Sequence, residues 1–247
     1  MPVQAIFHDH STESIRARLA AGTEASYLRD WIYGGIDGAI TTFAIVSGVV
    51  GANLSIGVIL VLGAANVVAD GFSMAASNYT GTKAENEEFE RIRDHEDRQI
   101  EHDPEGEARE IREIFRAKGF DGADLDRAVE IITSDKELWI NTMLTEEYGL
   151  PLSERSPMRA AVGTFVAFLL CGLVPLLPFT VTPLLFARGE AVIWSVVLTG
   201  LTFFAIGSAK SAWSLKPWWR SGFETFVIGT VAAMLAYLIG YFLRGIV

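Results

Sequence analysis

One carboxylate, Asp37, stands in an otherwise apolar, glycine-rich stretch running from Trp31 to Val46. A second apolar run, 56–79, carries Asn66, Asp70 and Met74 at successive i, i+4 positions and continues towards Ser77 and Asn78. In a helix every fourth residue returns to about the same face, so these side chains form one stripe. Asp offers a hard anionic oxygen, Asn a neutral carbonyl and Met a soft thioether. That mixture suits Fe²⁺, Mn²⁺ or Zn²⁺ better than Na⁺ or Mg²⁺. Charge held at membrane depth is costly, so such groups face a bundle interior and mark ion or proton pathways. Tyr33 and Thr41 lie one turn to either side of Asp37, and Gly34 with Gly38 forms a small-xxx-small pair suited to close helix approach. The plainer alternative for Asp37 is a structural hydrogen bond to a neighbouring helix. Asp70 is open between binding the ion, relaying a proton and pairing across helices.

Holding those groups in place requires membrane helices. Half of the 247 residues are hydrophobic, and mean hydropathy is positive. Five apolar segments, 31–52, 56–80, 159–180, 190–210 and 223–243, each reach the roughly 20 residues that cross about 30 Å of hydrocarbon. A soluble domain of this length has too little polar surface to cover five such helices. The expected fold is therefore an all-α integral membrane protein with five transmembrane helices and a helical insertion between helices two and three. Residues 51–55 read as a tight hairpin, and Pro175 and Pro178 are placed to bend or stop the third helix. The first thirty residues lack the apolar core of a secretion signal and read as a short amphipathic or disordered lead-in.

Basic residues give an orientation. Arg16, Arg18, Arg29, Lys83, Arg91, Arg93, Arg155, Arg159, Lys210, Lys216 and Arg220 flank the spans on one side; Arg188 and Arg244 lie on the other. The positive-inside rule places the N-terminus and 81–156 in the cytoplasm, and an odd number of spans leaves the C-terminus outside. The chain thus divides into an N-terminal segment 1–30, helices one and two in 31–80, the insertion 81–156, and helices three to five in 157–247. A net charge of −10 and the lack of a basic stripe argue against nucleic-acid binding. The lone Cys171 reads as packing, Lys210 as a snorkelling helix end, and Glu224 as either an interfacial or a functional carboxylate. No phosphate-binding glycine loop is present, which argues against direct ATP coupling.

Residues 83–155 hold 22 of the 30 acidic residues but 11 of the 20 basic ones. Their pattern is helical: helix two continues from Thr82 to about His102, a helix follows at about 105–118, another opens at 121–126, and a last one is capped by Ser134–Asp135. Gly119 and Gly149 are C-terminal stops and Pro104 a first-turn residue. Ile111, Ile114, Phe115, Phe120, Leu125, Val129, Ile132, Leu138 and Met143 offer a small core. Glu110 and Glu113 lie three apart on one helix; Glu96 and Gln99, with Glu101 as a further candidate, occupy the helix before, and Glu146 and Glu147 end the last. Carboxylates so crowded repel one another unless a cation joins them. A solvated surface laced with Arg pairs is the alternative. His95 and His102 lack metal-ligand spacing and read as surface or capping residues.

In its order of motifs, the chain resembles the vacuolar iron transporter family across nearly all of 28–244. The matching elements are Asp37-Gly38, Gly71-Phe72-Ser73-Met74 with Tyr79, Glu110-Ile111-Arg112-Glu113-Ile114, Glu147-Tyr148-Gly149-Leu150 and Pro175-Leu176-Leu177-Pro178. The resemblance implies a homodimer in a cell or vacuolar membrane that exports Fe²⁺ or Mn²⁺ from the cytosol in exchange for protons, with Zn²⁺ and Co²⁺ as further candidate ions. It implies an ion path lined by Asp37 and Met74, and an insertion gathering metal on Glu96, Glu110, Glu113, Met143 and Glu147. The chain departs from the family in three places. Asn66 stands where a helix-two glutamate is usual, with Asp70 one turn later. Gln99 and Leu144 replace a common glutamate and a methionine of the insertion. A passive divalent-cation pathway and a membrane metal sensor are the other readings. A pH-gradient dependence of flux separates the first, and loss of transport on changing Asp37 separates the second.

Overall fold

The computed structural model describes residues 9–21, 25–185, 187–213 and 216–246. Among the described residues ten α-helices follow one another: α1 Thr12–Ala21, α2 Leu28–Gly51, α3 Ile56–His102, α4 Pro104–Ala117, α5 Gly122–Thr133, α6 Lys136–Glu146, α7 Pro157–Leu173, α8 Leu177–Leu185, α9 Arg188–Lys210 and α10 Trp218–Leu243. Five runs among the described residues are long and apolar enough to cross a membrane: Leu28–Gly51, Ile56–His102, Pro157–Val181, Arg188–Lys210 and Trp218–Leu243. The described part of the N-terminal lead-in, expected to be amphipathic or disordered, holds the regular helix α1.

Contacts divide the chain into two compact units, with α3 passing from one to the other at residues 82/83. In the membrane-type unit α2 is the hub, packing against α7, α9 and α10. Phe43, Val46, Ile59, Val67, Leu176, Phe179 and Phe203 form its core, and Phe43 meets Phe203 edge-on. Asn53 turns the α2–α3 hairpin with φ 59°, a left-handed conformation that asparagine tolerates better than most residues. The third span does not stop at its prolines. It tightens into a 3-10 turn at Val174–Leu176 and resumes as α8. The buried Ser195 hydroxyl donates to the Pro175 carbonyl at 2.7 Å, which gives that carbonyl a partner at the bend.

The second unit comprises 83–155 with the described residues before Tyr27. Asp103 caps α4 by accepting from the Gly106 amide at 2.9 Å, with Pro104 at the first helical position. Asp135 caps α6 through the Leu138 amide at 3.1 Å. Gly119 and Gly149 adopt φ of 96° and 66°, the left-handed conformation expected of helix stops. The core differs from the expected one after α4 and in its last helix. Phe120 and Leu138 are exposed, whereas Trp139, Ile140, Met143 and Leu144 are buried with Ile100, Ile111, Leu125, Val129 and Ile132. Positions 139, 140, 143 and 144 share one face of α6, and that face packs against Ile100, Ile111, Leu125, Val129 and Ile132.

Candidate functional site

In the membrane-type unit, α2 and α3 are joined by a ladder of polar contacts. The Thr41 hydroxyl donates to the Asp37 backbone carbonyl at 2.9 Å and accepts from the Asn66 amide at 3.2 Å. Asp37 is partly buried, Asp70 is exposed on α3, and the charge of Asp70 bears on Asp37. Met74, one turn further along α3, is partly buried. Beyond it, Asn78 donates to Asp30 Oδ1 at 2.9 Å and to Thr164 Oγ1 on α7 at 2.7 Å. Asp30 and Thr164 are 4% and 1% exposed. Asp30 was not singled out by sequence reasoning, although it lies two turns before Asp37. Asn78 was visible as the end of the stripe.

The glycine pair positions α2 against α7. A Cβ on Gly34 would stand 2.3 Å from the Thr164 carbonyl oxygen, and one on Gly38 would stand 2.4 Å from that of Phe168. Thr164 and Phe168 are themselves one turn apart, so two rungs of α2 rest directly on two rungs of α7. Cys171 is a free thiol packed against the core. Glu224 is ion-paired with Lys216 at 3.3 Å at the start of α10.

The exposed surface of α3 differs from that of α10 in carrying polar groups among its apolar residues. On α10 the outward residues include Phe223, Val227, Ile228, Val231, Met234 and Leu235, a surface suited to lipid. On α3 the exposed apolar residues Val61, Leu62, Val68 and Phe72 are accompanied by a carboxylate and two hydroxyls, Asp70, Ser73 and Ser77, among Ala65, Ala69 and Ala76. A carboxylate with small and hydroxyl neighbours is a poor match to hydrocarbon and a good one to another helix or to water.

In the inserted unit the acidic residues sort into two groups. Glu96 on α3 is 2% exposed and accepts from the Tyr148 hydroxyl at 2.9 Å. Glu107 on α4 is buried, and its Oε2 has no hydrogen-bond partner among the described residues. Burial, followed by the charges of Glu110, Glu96, Glu147 and Asp103, pushes the Glu107 carboxyl up to about 7. Glu147 is likewise raised by burial and by Glu110 and Glu96, with His95 acting the other way. Glu96, Glu107, Glu110 and Glu147 therefore share one electrostatic site. Burial and the bond to Glu96 also hold the Tyr148 hydroxyl in its protonated form.

Glu113 lines a groove with Asp103, Glu110 and Glu147, but its carboxylate is paired with Arg116 on its own helix. Glu107 is the residue that sequence reasoning missed. Its signal was the i, i+4, i+7 series 107, 111 and 114, which puts it on the inward face with Ile111 and Ile114. Met143 is completely buried beside Leu144, while Gln99 is exposed. Among the described residues, no three His, Cys, Asp or Glu side chains already converge closely enough to hold one metal ion.

Five membrane-length helices with a carboxylate-bearing ladder between two of them make this a multi-span membrane protein of the transporter class. The chain belongs to the VIT family, whose sequence profile matches residues 28–241. A vacuolar iron transporter of Toxoplasma gondii is 33% identical over 232 residues, covering 91% of this chain and 77% of that protein. Vacuolar iron transporter 1 of Arabidopsis thaliana is 33% identical over 232 residues, covering 93% and 88%. A vacuolar iron transporter of Plasmodium falciparum is 29% identical over 224 residues, covering 88% and 82%.

Proposed function

We infer that the chain is a proton-coupled exporter of Fe²⁺ and Mn²⁺ that works as a homodimer. The observation that carries this reading is the α2–α3 ladder, in which Thr41 joins the Asp37 carbonyl to Asn66, one turn from Asp70, in a chain related to iron transporters. The exposed Asp70 face of α3 supports pairing with a second copy, which would shield the carboxylates from lipid and bring two Asp37–Met74 sets together. The orientation follows from the basic flanks, with the N-terminus and the insertion in the cytosol and the C-terminus across the membrane.

In this mechanism the acidic insertion concentrates the divalent cation, with Glu96, Glu107, Glu110 and Glu147 as its first holders. Glu110 and Glu147 are exposed and meet the ion first; Glu96 and Glu107 turn outward to complete its shell. The ion then passes to Met74 and Asp37, where a thioether and a carboxylate replace part of its hydration. A proton from the far side neutralises Asp37 or Asp70, weakens the site and releases the ion outward. One carboxylate cannot strongly hold both a proton and a metal ion, so exchange needs no covalent step. The test is Fe²⁺ and Mn²⁺ uptake into proteoliposomes with an acidic or a neutral interior. Uptake driven by the acidic interior supports the exchanger, equal uptake without a gradient favours a passive path, and no uptake with intact metal binding favours a sensor.

A further inference from the structure

The ladder between α2 and α3 has a second fastened end that the transport scheme does not use. On α3 the two amides that reach across, Asn66 and Asn78, are twelve residues apart; on α2 their partners, Thr41 and Asp30, are eleven apart. At about 1.5 Å per residue, these spacings match to within one residue's rise. The two helices therefore run antiparallel in register between the two bonds. The intermediate rungs follow: Asp70 lies opposite Asp37, and Met74 lies opposite Tyr33 and Gly34.

The Asn78 end is the more firmly held. A carboxylate can only accept, so the NH₂ side of the Asn78 amide must face Asp30. Its other N–H goes to Thr164, whose hydroxyl also approaches the Asp30 backbone carbonyl at 3.5 Å. One amide thus ties α2, α3 and α7 together around a carboxylate that is 4% exposed. The Asn66 end rests on a single bond to a partly buried hydroxyl. Resting on the transport reading above, we propose that Asn78 is a positioning residue for the ion path. By bridging Asp30 and Thr164 it sets the rotation of α3 that turns Met74 and Asp70 towards Asp37.

This role makes predictions that a merely structural bond does not. Replacing Asn78 by Leu releases the rotation of α3, so the thioether leaves the path and the ion is held by oxygen alone. Transport of Fe²⁺ relative to Mn²⁺ then shifts in the direction given by Met74→Leu, because the softer ion loses more. Asn78→Asp sets two carboxylates against each other across the 2.9 Å contact. The exchange Asp30→Asn with Asn78→Asp restores a donor facing an acceptor at unchanged net charge, and the Thr164 hydroxyl can donate as well as accept.

The experiment compares Fe²⁺ and Mn²⁺ uptake by the full chain in proteoliposomes for wild type, Asp37→Asn, Met74→Leu, Asn78→Leu, Asn78→Asp, the Asp30/Asn78 exchange and Met74→Leu/Asn78→Leu. Wild-type uptake lost in Asp37→Asn establishes the path itself; without it the transport reading fails before this proposal is reached. With the path established, Asn78→Leu and Asn78→Asp should each lower uptake by about tenfold. Asn78→Leu should move the Fe²⁺/Mn²⁺ ratio as Met74→Leu does, and the double variant should show the ratio of Met74→Leu alone. The exchange should recover uptake to within about threefold of wild type. Should Asn78→Leu fail to fold, Asn78→Asp and its recovery by the exchange decide the matter. Wild-type uptake and ratio in Asn78→Leu overturn the proposal, as does reduced uptake at an unchanged ratio with no recovery in the exchange.

Discussion

The Tyr148 hydroxyl donates to the buried Glu96 carboxylate at 2.9 Å and so fastens the end of the α6 segment to the extension of α3. A hydrogen bond to a charged acceptor is worth about 1.5–3 kcal/mol, and removing a donor from a buried carboxylate costs in that range. Tyr148→Phe should therefore loosen the inserted unit locally while leaving the membrane helices as they are. Amide hydrogen exchange over 90–150 should speed up by about one to two orders of magnitude. Unchanged protection there would show that the bond carries no stability.

Glu107 yields a pH dependence whose sign is opposite to that of an ordinary salt-bridged carboxylate. Its proton is held to about 7 in the folded chain, against an ordinary value of 4.5. Between these values the folded chain binds the additional proton, so stability falls as pH rises through this window. The contribution is fully present below about 4.5 and lost above about 7, and its size is on the order of 3 kcal/mol. Melting of the metal-free protein in detergent should show the insertion more stable near pH 5 than near pH 7.5. Glu107→Gln should flatten that difference, and a pH-independent profile in the wild type would refute the argument.

Much of this architecture was legible because hydropathy and capping chemistry are local. The five spans, the Asn53 hairpin, the Asp135 cap and the stops at Gly119 and Gly149 each depend on residues within a turn or two of one another. The i, i+4 spacing of Asn66, Asp70 and Met74 likewise put them on one helical face before any partner was known. Less legible were features decided by packing between distant segments. Glu107 and Glu113 look alike in sequence, at three residues to either side of Glu110, yet one is buried and the other is paired with Arg116. Thr164 reads as an unremarkable helix residue until α7 lies against Gly34 and Gly38. Leu138 was expected in the core, yet packing of α6 against α3, α4 and α5 buries Trp139 there and leaves Leu138 exposed.

The contrast between Glu107 and Glu113 can be tested directly. If the shared electrostatic site of Glu96, Glu107, Glu110 and Glu147 is the metal-gathering one, Glu107→Gln should weaken Mn²⁺ binding to the purified full-length protein by about tenfold or more. Glu113→Gln removes a carboxylate already paired with Arg116 on an exposed surface, so its effect should be within about twofold. Isothermal titration with Mn²⁺ at pH 7.5 reads both. Equal losses for the two variants would place the ions in the groove that Glu113 lines.

Gly34 and Gly38 give the sharpest steric prediction for the membrane helices. The Cβ of an alanine at either position would enter the space of a backbone carbonyl oxygen, at 2.3 Å from Thr164 and 2.4 Å from Phe168. Backbone atoms of a packed helix cannot swing aside as a flexible side chain does, so α2 and α7 must separate. Each substitution should cost about 1–3 kcal/mol, and together they should abolish a monodisperse product in detergent. Gly57, whose nearest such contact is the Ser55 hydroxyl at 3.7 Å, serves as the control, and Gly57→Ala should be tolerated. Separation of α2 from α7 also pulls Thr164 off the Asp30–Asn78 bond, so any single glycine variant that still folds should transport poorly and lose Fe²⁺/Mn²⁺ discrimination. Normal transport by a folded Gly34→Ala protein would show that the close approach of these helices is not needed to hold the path.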